Sequence, residues 1–367
     1  MSTPWPAIDF GHTGLDAAFV RGDVYAVSPD PARTAKRPLR IAIAGAGGVA
    51  QAKWIPALRR LQTLGEPVEC AAIADPRAEM AAKAARLAGA EAHGDVAAML
   101  DAVRPDLLLV LTTDSAHSVV VRTAVTLGIP CLVEKPLAPD YTTAAALVRE
   151  AESAGVLLAT VANKRFAPPY AMAKALIAEG RLKAAPTVFS GKFTLGYPYV
   201  DLLNGGTVHL FDLALWFMGP VSRLHARAVM RHGAIDSAVI SLGFESGAIG
   251  VLMTSAAGLS FKPWERVEIV GRNAFVVVDD QRETTLYDEE AGPAKSWAPA
   301  IPNTLMFDET FGGYVGLLDN VLDAVRGTTA LAAPGSAGAA AVGLIEATRR
   351  SIATGRDIDV VGEELTG

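Results

Sequence analysis

The sequence predicts an α/β domain with a doubly wound parallel sheet, followed by an α+β domain with an open, largely antiparallel sheet. Strand and helix patterns alternate from Arg40 to Val161, as expected for a parallel sheet covered on both faces. Beyond Thr187, strand patterns follow one another through short turns, as in antiparallel sheets. We therefore divide the chain into an N-terminal arm (1–39), a first domain (40–163) and a second domain (164–367).

Composition limits the class of protein. The chain has 367 residues, of which 51% are hydrophobic, so it can build two cores. Its formal net charge of −6 disfavours nucleic acid and anionic membrane as partners. We see no secretory signal pattern and no apolar run long enough to span a bilayer, and we interpret Cys70 and Cys131 as small core residues. These features predict a cytoplasmic protein without a metal site.

The arm, Met1–Leu39, mixes large apolar residues with prolines. It carries too many apolar groups for a free tail. We expect it to pack on the body of the protein or on a neighbouring subunit.

A glycine-rich turn organises the first domain. Residues 45–50 follow the apolar run Ile41–Ala44 with the spacing G-x-G-x-x-A and precede a predicted helix, Gln51–Leu64. In such a turn the first glycine permits the tight bend, the second lets a pyrophosphate approach the backbone, and the small third residue lets helix and strand pack closely. Free N–H groups at the helix start favour phosphate. The order strand, turn, helix favours a Rossmann dinucleotide site over an ordinary connection. The loop residues predicted to bind the cofactor are Gly45, Gly47, Gly48 and Val49.

The remaining elements of the first domain follow from apolar runs and stop signals. The predicted strands and helices are Val68–Ala74, Ala78–Leu87, Ala90–Ala92, Val96–Val103 with Asp95 as N-cap, Asp106–Leu111, Ser115–Leu127, Ile129–Val133, Asp140–Ser153 and Val156–Val161. Ligands of doubly wound sheets bind at the carboxyl ends of the strands. The residues just beyond those ends are Gly45, Asp75, Thr112, Glu134 and Asn163.

Asp75 follows the second strand, where a carboxylate can accept hydrogen bonds from an adenosine ribose and repel a ribose phosphate. This favours NAD, although Arg77 nearby softens the preference and leaves NADP as an alternative. The competing interpretation makes Asp75 a helix N-cap before Pro76, and both roles can hold together.

The second domain combines strands with four predicted helices. Its predicted elements are a helix from Pro168 to Glu179, strands Thr187–Thr194, Ser222–Met230, Ser237–Phe244, Ala248–Ser255, Glu265–Val270, Ala274–Val278 and Asp357–Val361, and helices Val208–Met218, Glu309–Val325 and Ser336–Ala353.

Val208–Met218 is apolar almost all round and is therefore predicted to be buried. His209 and Asp212 share one face near its N-terminus, where the helix dipole favours a neutral imidazole able to bond a substrate. The alternative is a structural pair in a packed core. We reject a metal site because no third ligand is suitably spaced.

Several motifs together resemble the glucose-fructose oxidoreductase, inositol dehydrogenase and rhizopine-catabolism (Gfo/Idh/MocA) family. The resemblance runs from about Arg40 to the C-terminus. It rests on the glycine loop and on the segments Ile55-Pro56-Ala57-Leu58, Ala74-Asp75-Pro76, Thr112-Thr113 with His117, Glu134-Lys135-Pro136, Asn163-Lys164-Arg165-Phe166 with Pro168, His209-Leu210-Phe211-Asp212 and Gly313-Tyr314.

The resemblance implies a two-domain enzyme that moves a hydride between a nicotinamide and a sugar, polyol or related carbonyl. It also implies a homodimer or homotetramer built through the C-terminal sheet. Carried over to this sequence, it places Asp75 and Arg77 near the adenosine ribose, Thr112 and His117 along the cofactor, Glu134 at the nicotinamide ribose, Asn163 and Arg165 at the cofactor, and Lys135, His209 and Asp212 in catalysis.

Hydride transfer from an alcohol requires removal of the hydroxyl proton, and reduction requires its donation. A lysine can do either if burial brings its pKa towards neutrality, and its charged form stabilises a developing alkoxide. Outside the Glu134-Lys135-Pro136 context, Lys135 would be interpreted as a solvated loop lysine.

One position departs from the family pattern. Family dehydrogenases often carry an aspartate four residues before the histidine, where this chain has Gly205. Tyr197, Tyr199, Asp201 and Asn204 are candidate substrate contacts or ordinary loop residues. Two other functions therefore stay open: a lyase or glycosidase that oxidises a sugar transiently, and a dinucleotide-binding regulator without turnover.

Overall fold

The computed structural model describes residues 30–195, 201–258, 264–289, 292–298 and 308–360. Residues 1–29 of the arm, as well as Tyr197 and Tyr199, lie outside these ranges. The described residues form two compact units: a first unit of 30–139, 143–166 and 308–336, and a second unit of 140–142, 167–298 with the gaps above, and 337–360. The division predicted from the sequence differs, since it placed residues 308–336 in the second domain.

Six parallel strands form the sheet of the first unit within the described ranges. They are β1 (Leu39–Ala44), β2 (Val68–Ala74), β3 (Glu91–His93), β4 (Leu107–Val110), β5 (Cys131–Val133) and β6 (Leu158–Thr160). Their order, β3-β2-β1-β4-β5-β6, confirms the doubly wound fold. The order reverses between β1 and β4, and the crevice outside the carboxyl ends of these strands is where such folds bind ligands. All four residues of β4 are buried, as expected of an interior parallel strand.

Eight helices lie wholly or largely within the first unit's described residues. They are α1 (Pro31–Thr34), α2 (Ile55–Thr63), α3 (Ala78–Ala88), α4 (Val96–Val103), α5 (His117–Thr126), α6 (Tyr141–Ser153), and, later in the chain, α9 (Asp308–Phe311) and α10 (Tyr314–Val325). A wide π-helical turn, Ala50–Trp54, precedes α2. The helix predicted over Glu309–Val325 is wrong as one element, because Gly313 adopts φ +81° and separates α9 from α10. Leu317, Leu318 and Val321 of α10 belong to the first unit's core, which is why this late segment joins it.

Ion pairs fix the described end of the arm to the first unit. Arg33 contacts both carboxylate oxygens of Asp319 at 2.7 and 2.8 Å, and its guanidinium also lies 3.2 Å from Glu66. Lys36 bridges Glu66 and Asp323 at 3.3 and 2.8 Å. The Glu66 side chain is fully buried, so these cations, together with Arg326 at 2.6 Å, compensate its charge.

A mixed sheet dominates the second unit. Its strands are β7 (Val188–Thr194), β8 (Val221–Arg231), β9 (Ala234–Phe244), β10 (Ile249–Ser255), β11 (Glu265–Val270), β12 (Ala274–Asp279), β13 (Glu283–Asp288), β14 (Gly292–Trp297) and β15 (Ile358–Asp359). The order within the described ranges is β14-β13-β12-β11-β7-β10-β9-β8-β15, and every neighbouring pair is antiparallel except β7 and β10. The sequence analysis missed β13 and β14.

Three helices accompany this sheet: α7 (Pro168–Ala178), α8 (Val208–Met218) and α11 (Gly335–Thr354). Phe189 and Phe193 of β7 share the second unit's core with Leu210 and Phe211 of α8 and with Leu344 of α11. Burial alternates along β7 and β11, so one face of the sheet is covered. The other face exposes large apolar side chains, among them Val229, Val239, Met253 and Trp264.

Among the described residues, no helix combines the length and apolar character that a bilayer crossing requires. Cys70 and Cys131 are unpaired and buried, as predicted. Burial raises the pKa of both thiols to about 12, so they are inert core residues.

Candidate functional site

The glycine loop has two different kinds of glycine. Gly45 has φ +97°, and a Cβ atom there would lie 2.4 Å from the carbonyl oxygen of Leu111 at the end of β4. Steric fit to the neighbouring strand therefore requires glycine. A Cβ atom at Gly47 or Gly48 would meet nothing within 4 Å, and the helical backbone begins at Gly48. The loop thus presents open space in front of the first free N–H groups of the helix.

Two side chains hold this loop from either side. The Ala46 amide donates to Oδ2 of Asp75 at 2.9 Å, and Nε2 of Gln51 donates to the Ala46 carbonyl at 2.8 Å. Asp75 thereby ties the end of β2 to the loop after β1. Gln51 was not singled out in the sequence, because a bond to the backbone five residues earlier leaves no motif.

Asp75 is almost fully buried and is paired with Arg77. Arg77 donates to both carboxylate oxygens, from Nε at 3.0 Å and from Nη2 at 3.1 Å, and its backbone amide donates to Oδ1 at 2.9 Å. The bond from the Arg77 side chain, aided by the Ala46 amide, lowers the pKa of Asp75 to about 2, so the carboxylate is ionised at neutral pH. The N-cap interpretation of Asp75 is wrong in position, because the N-cap residue of α3 is Arg77.

Glu134 and Lys135 follow β5. Oε1 of Glu134 accepts from the indole Nε1 of Trp54 at 2.9 Å, and Oε2 accepts from the Lys135 backbone amide at 3.1 Å. Lys135 is partly buried, and the peptide bond to Pro136 is cis. Burial lowers the pKa of Lys135, and the charge of Lys164 lowers it further, whereas Glu134 and Asp114 oppose this shift. Lys135 is thus shifted in the direction that an acid/base lysine requires.

His117 is fully buried at the start of α5. Its Nδ1 lies 2.8 Å from the Pro136 carbonyl oxygen, and its Nε2 lies 3.3 Å from the Thr112 carbonyl oxygen. The imidazole therefore connects the segment after β4 with the segment that carries Lys135. His117 therefore stabilises the backbone of both segments around the site.

Asn163 and Arg165 lie after β6 in a short 3₁₀ turn. Nδ2 of the buried Asn163 donates to the Gly312 carbonyl at 2.6 Å, while its Oδ1 is buried without a hydrogen-bond partner. Nη1 of Arg165 donates to the Ala332 carbonyl at 2.7 Å. An unsatisfied buried oxygen is costly, so the Asn163 side chain is the kind of group that a bound ligand would satisfy.

The first-unit residues fit a dinucleotide by their own chemistry. The open loop at Gly47 and Gly48 offers N–H donors and no side chain, which suits a pyrophosphate. Asp75 offers an ionised carboxylate at the end of β2, which suits ribose hydroxyls. Glu134 lies beyond the end of β5, and its carboxylate has about four acceptor positions, so it can accept further hydrogen bonds besides those from Trp54 and Lys135.

His209 and Asp212 lie in the second unit, three residues apart on α8. His209 is partly buried and Asp212 is buried, with 8% of its surface exposed. The predicted bounds of this helix, Val208–Met218, are confirmed, but the helical backbone does not begin at Val208. A π-helical turn, Leu203–Thr207, continues directly into α8, so helical backbone begins at Leu202. The dipole argument for a neutral His209 therefore loses its basis, because dipole effects fade beyond the first turn.

Asp201 begins this longer helix. Its Oδ1 accepts from the Asn204 amide at 2.9 Å and from Nη2 of Arg349 at 3.1 Å, and Arg349 also donates to Oδ1 of Asn204 at 3.1 Å. The first bond is an N-cap interaction. The two predicted substrate contacts that fall in the described residues are thus held by an arginine of α11 that the sequence analysis did not single out.

Two family models match successive parts of the chain. Residues 39–162 match the model of the oxidoreductase family with an NAD-binding Rossmann fold, and residues 202–360 match its C-terminal alpha/beta domain. The chain is 32% identical over 199 residues to an inositol 2-dehydrogenase of Streptomyces avermitilis, covering 53% of this chain and 56% of that protein. It is 27% identical over 237 residues to a myo-inositol 2-dehydrogenase of Thermotoga maritima, covering 60% and 71%.

The match to the Streptomyces relative spans little more than half of that protein's length. Among solved structures, levoglucosan dehydrogenase with NADH and L-sorbose superposes with a TM-score of 0.79 at 18% identity, covering 89% of this chain and 99% of that one. This likeness shows the shared fold. Since the two family models together match most of the chain, it belongs to the Gfo/Idh/MocA oxidoreductase family, and its first unit is an NAD-binding Rossmann domain.

Proposed function

We propose that this protein is an NAD(H)-dependent dehydrogenase or reductase that acts on a CH–OH group of a sugar, a polyol or a related carbonyl compound. The observation that carries the proposal is Lys135, a partly buried lysine beyond β5 whose pKa is lowered by burial, in the unit that holds the glycine loop. Family membership supports the cofactor. The names of relatives, inositol and D-apiose dehydrogenases, support the substrate class.

Bound NAD would supply the hydride acceptor. Gly45, Gly47, Gly48 and Val49 would hold its pyrophosphate, Asp75 and Arg77 its adenosine ribose, and Glu134 its nicotinamide ribose. In oxidation, the neutral amine of Lys135 takes the hydroxyl proton as the hydride leaves carbon. In reduction, its ammonium returns that proton to the carbonyl oxygen. Thr112, His117, Asn163 and Arg165 shape the cofactor side of this site.

We assign His209 to orienting the substrate oxygen and Asp212 to orienting His209. Their spacing of three residues places them on one helical face. Asp201 and Asn204, at the start of the same helix, remain candidate contacts for substrate hydroxyls, together with Tyr197 and Tyr199.

The test measures reduced-nicotinamide absorbance with NAD or NADP and a panel of sugars, polyols and their oxidised forms. Lys135→Met keeps the side chain's length and apolar stem but removes the proton-exchanging group. We expect turnover with one compound class, lost by at least about a hundredfold in Lys135→Met at unchanged NAD affinity. Equal turnover in the variant would remove Lys135 from the mechanism.

Cofactor binding without net turnover would favour a different function. Family dehydrogenases often have an aspartate where this chain has Gly205, so the experiment must also test two alternative functions. Product analysis by mass spectrometry would reveal a lyase or glycosidase that oxidises a sugar only transiently. Unchanged compounds throughout would favour a dinucleotide-binding regulator.

We further propose that copies associate through the exposed face of the second unit's sheet. Val239 and Met253 are exposed there beside a depression of about 450 Å³ that Val229 and Trp264 also line. Exposed apolar patches of this kind mark association surfaces. Met253→Lys should lower the oligomeric mass in analytical ultracentrifugation, and an unchanged mass would place the interface elsewhere. The unpaired cysteines fit the cytoplasmic location that we propose.

A further inference from the structure

We propose that Trp54 is a positioning residue that fixes the Glu134 carboxylate for the nicotinamide half of the cofactor. The inference rests on the proposed function, because it assigns Glu134 to that half. It concerns a side chain that neither the glycine loop nor the Glu134-Lys135-Pro136 motif contains.

The contact joins segments that follow two non-adjacent strands of the same sheet. Trp54 ends the π-helical turn that follows the loop after β1, whereas Glu134 follows β5, two positions away in the strand order β1-β4-β5. Two strand spacings amount to roughly 10 Å. Tryptophan combines the reach for such a gap with a donor at its far edge, and phenylalanine lacks the donor. The 2.9 Å bond from Nε1 to Oε1 uses that donor.

The hydrogen bond between Trp54 and Glu134 is buried, so its loss would not be compensated by water. Trp54 is fully buried and Glu134 is 8% exposed, so little water can replace a lost donor. The Lys135 amide holds the other carboxylate oxygen at 3.1 Å. The two donors select one orientation of the carboxylate and leave acceptor positions for the hydroxyls of a ribose.

A second aromatic side chain fixes the indole itself. The ring of Tyr314, at the start of α10, meets Trp54 edge to face, with centroids 5.2 Å apart and planes at 89°. Burial, and next the charge of Glu134, raise the pKa of Tyr314. Trp54 is thus held between α10 and the strand end that carries Glu134.

The test separates the two halves of the cofactor. ADP contains the adenosine ribose and the pyrophosphate but lacks the nicotinamide ribose. We expect Trp54→Phe to bind NAD about tenfold more weakly while binding ADP within about twofold of the wild type, as the loss of one charge-assisted bond predicts. Trp297→Phe, in the edge strand β14 of the second unit, is the matched control and should bind both ligands normally.

A double-mutant cycle connects the effect to Glu134. Glu134→Gln should also weaken NAD binding, and Trp54→Phe/Glu134→Gln should bind no more weakly than Glu134→Gln alone. If Glu134→Gln loses affinity and Trp54→Phe does not, the inference is overturned and the proposed function stands. If neither loses affinity, the assignment of Glu134 in the proposed function fails, and the inference fails with it. Equal loss of NAD and ADP in Trp54→Phe would show a merely structural role and would overturn the inference.

A measurement on the wild-type protein remains decisive if Trp54→Phe does not fold. In protein labelled with nitrogen-15 at its indoles, the Trp54 signal is the one that Glu134→Gln displaces. NAD should shift this signal and slow its hydrogen exchange, and ADP should not. A signal that ignores NAD would overturn the inference.

Discussion

Alanine substitutions at Gly45 and Gly47 should have opposite consequences, although the two residues are only two positions apart. At Gly45, a Cβ atom would lie 2.4 Å from the Leu111 carbonyl oxygen, and φ +97° is unfavourable for any residue with a Cβ. The backbone conformation costs about 1–2 kcal/mol and the overpacking about 1–3 kcal/mol. Gly45→Ala should therefore lose about 2–5 kcal/mol of stability, or roughly 5–15 °C in the melting temperature of the first unit.

Gly47→Ala provides the contrast. Its Cβ atom would meet nothing within 4 Å, and its φ is not in the left-handed region, so stability should stay the same or rise by about 0.4–1 kcal/mol. The added methyl would occupy the space in which a pyrophosphate approaches the backbone, so NAD affinity should fall by about tenfold or more.

Calorimetry without ligand and titration with NAD measure the two effects separately. A Gly45→Ala protein as stable as the wild type would contradict the close packing of the loop against the end of β4. Unchanged NAD affinity in Gly47→Ala would show that the pyrophosphate does not pass over Gly47. Either result would refute the inference that Gly45 is required for packing of the loop and Gly47 for pyrophosphate binding.

Two further substitutions test the charges around the site, and a third tests the docking of the arm. Asp114 raises the pKa of Lys135, so Asp114→Asn should lower that pKa. Because oxidation needs the neutral amine, the rising limb of the pH–rate profile should move to lower pH. A shift to higher pH would contradict the assignment of Lys135 as the acid/base group. Asp75→Ala removes the acceptor that favours ribose hydroxyls over a ribose phosphate, so the NAD-to-NADP affinity ratio should fall by about tenfold, and an unchanged ratio would limit Asp75 to holding the loop. Arg33→Gln leaves Glu66 with two of its three cationic partners, so the free energy of unfolding in denaturant should fall by about 1–2 kcal/mol. An unchanged unfolding midpoint would show that the docking of the arm does not contribute to stability.

Local sequence was sufficient wherever one strand or helix has a strong pattern of its own. The strands Val68–Ala74 and Glu265–Val270 have the bounds that their apolar residues predicted, and Asp95 caps α4 through the Ala98 amide as expected. The pattern failed at β13, where the polar Thr284 occupies a buried position, and at β14 on the sheet's edge. Edge strands bury little, so they carry a weak apolar signal.

Local sequence patterns also predicted only part of the candidate site. Strand ends predicted Asp75 and Glu134 as site candidates, and the family resemblance added Lys135, because these features are local in sequence. The partners that hold them, Trp54 and Gln51, are specified by distances across strands that no local pattern encodes. The π-helical turns before α2 and α8 were equally invisible, since a wide turn has no residue signature of its own.

The π-helical turn before α8 bears on what replaces the family aspartate at Gly205. The acid nearest before it in sequence, Asp201, lies four residues earlier, where it caps the helix and pairs with Arg349. The cap contributes about 1 kcal/mol and the exposed ion pair no more than about 1 kcal/mol, so energy alone would not hold Asp201 in place. Geometry is the stronger constraint, because the Gly205 amide already donates to the Asp201 carbonyl at 2.7 Å, which fixes the backbone of Asp201 one helical turn before the vacant position. A carboxylate relay at that position would therefore require unwinding the start of the helix, and under the proposed function the proton exchange falls to Lys135.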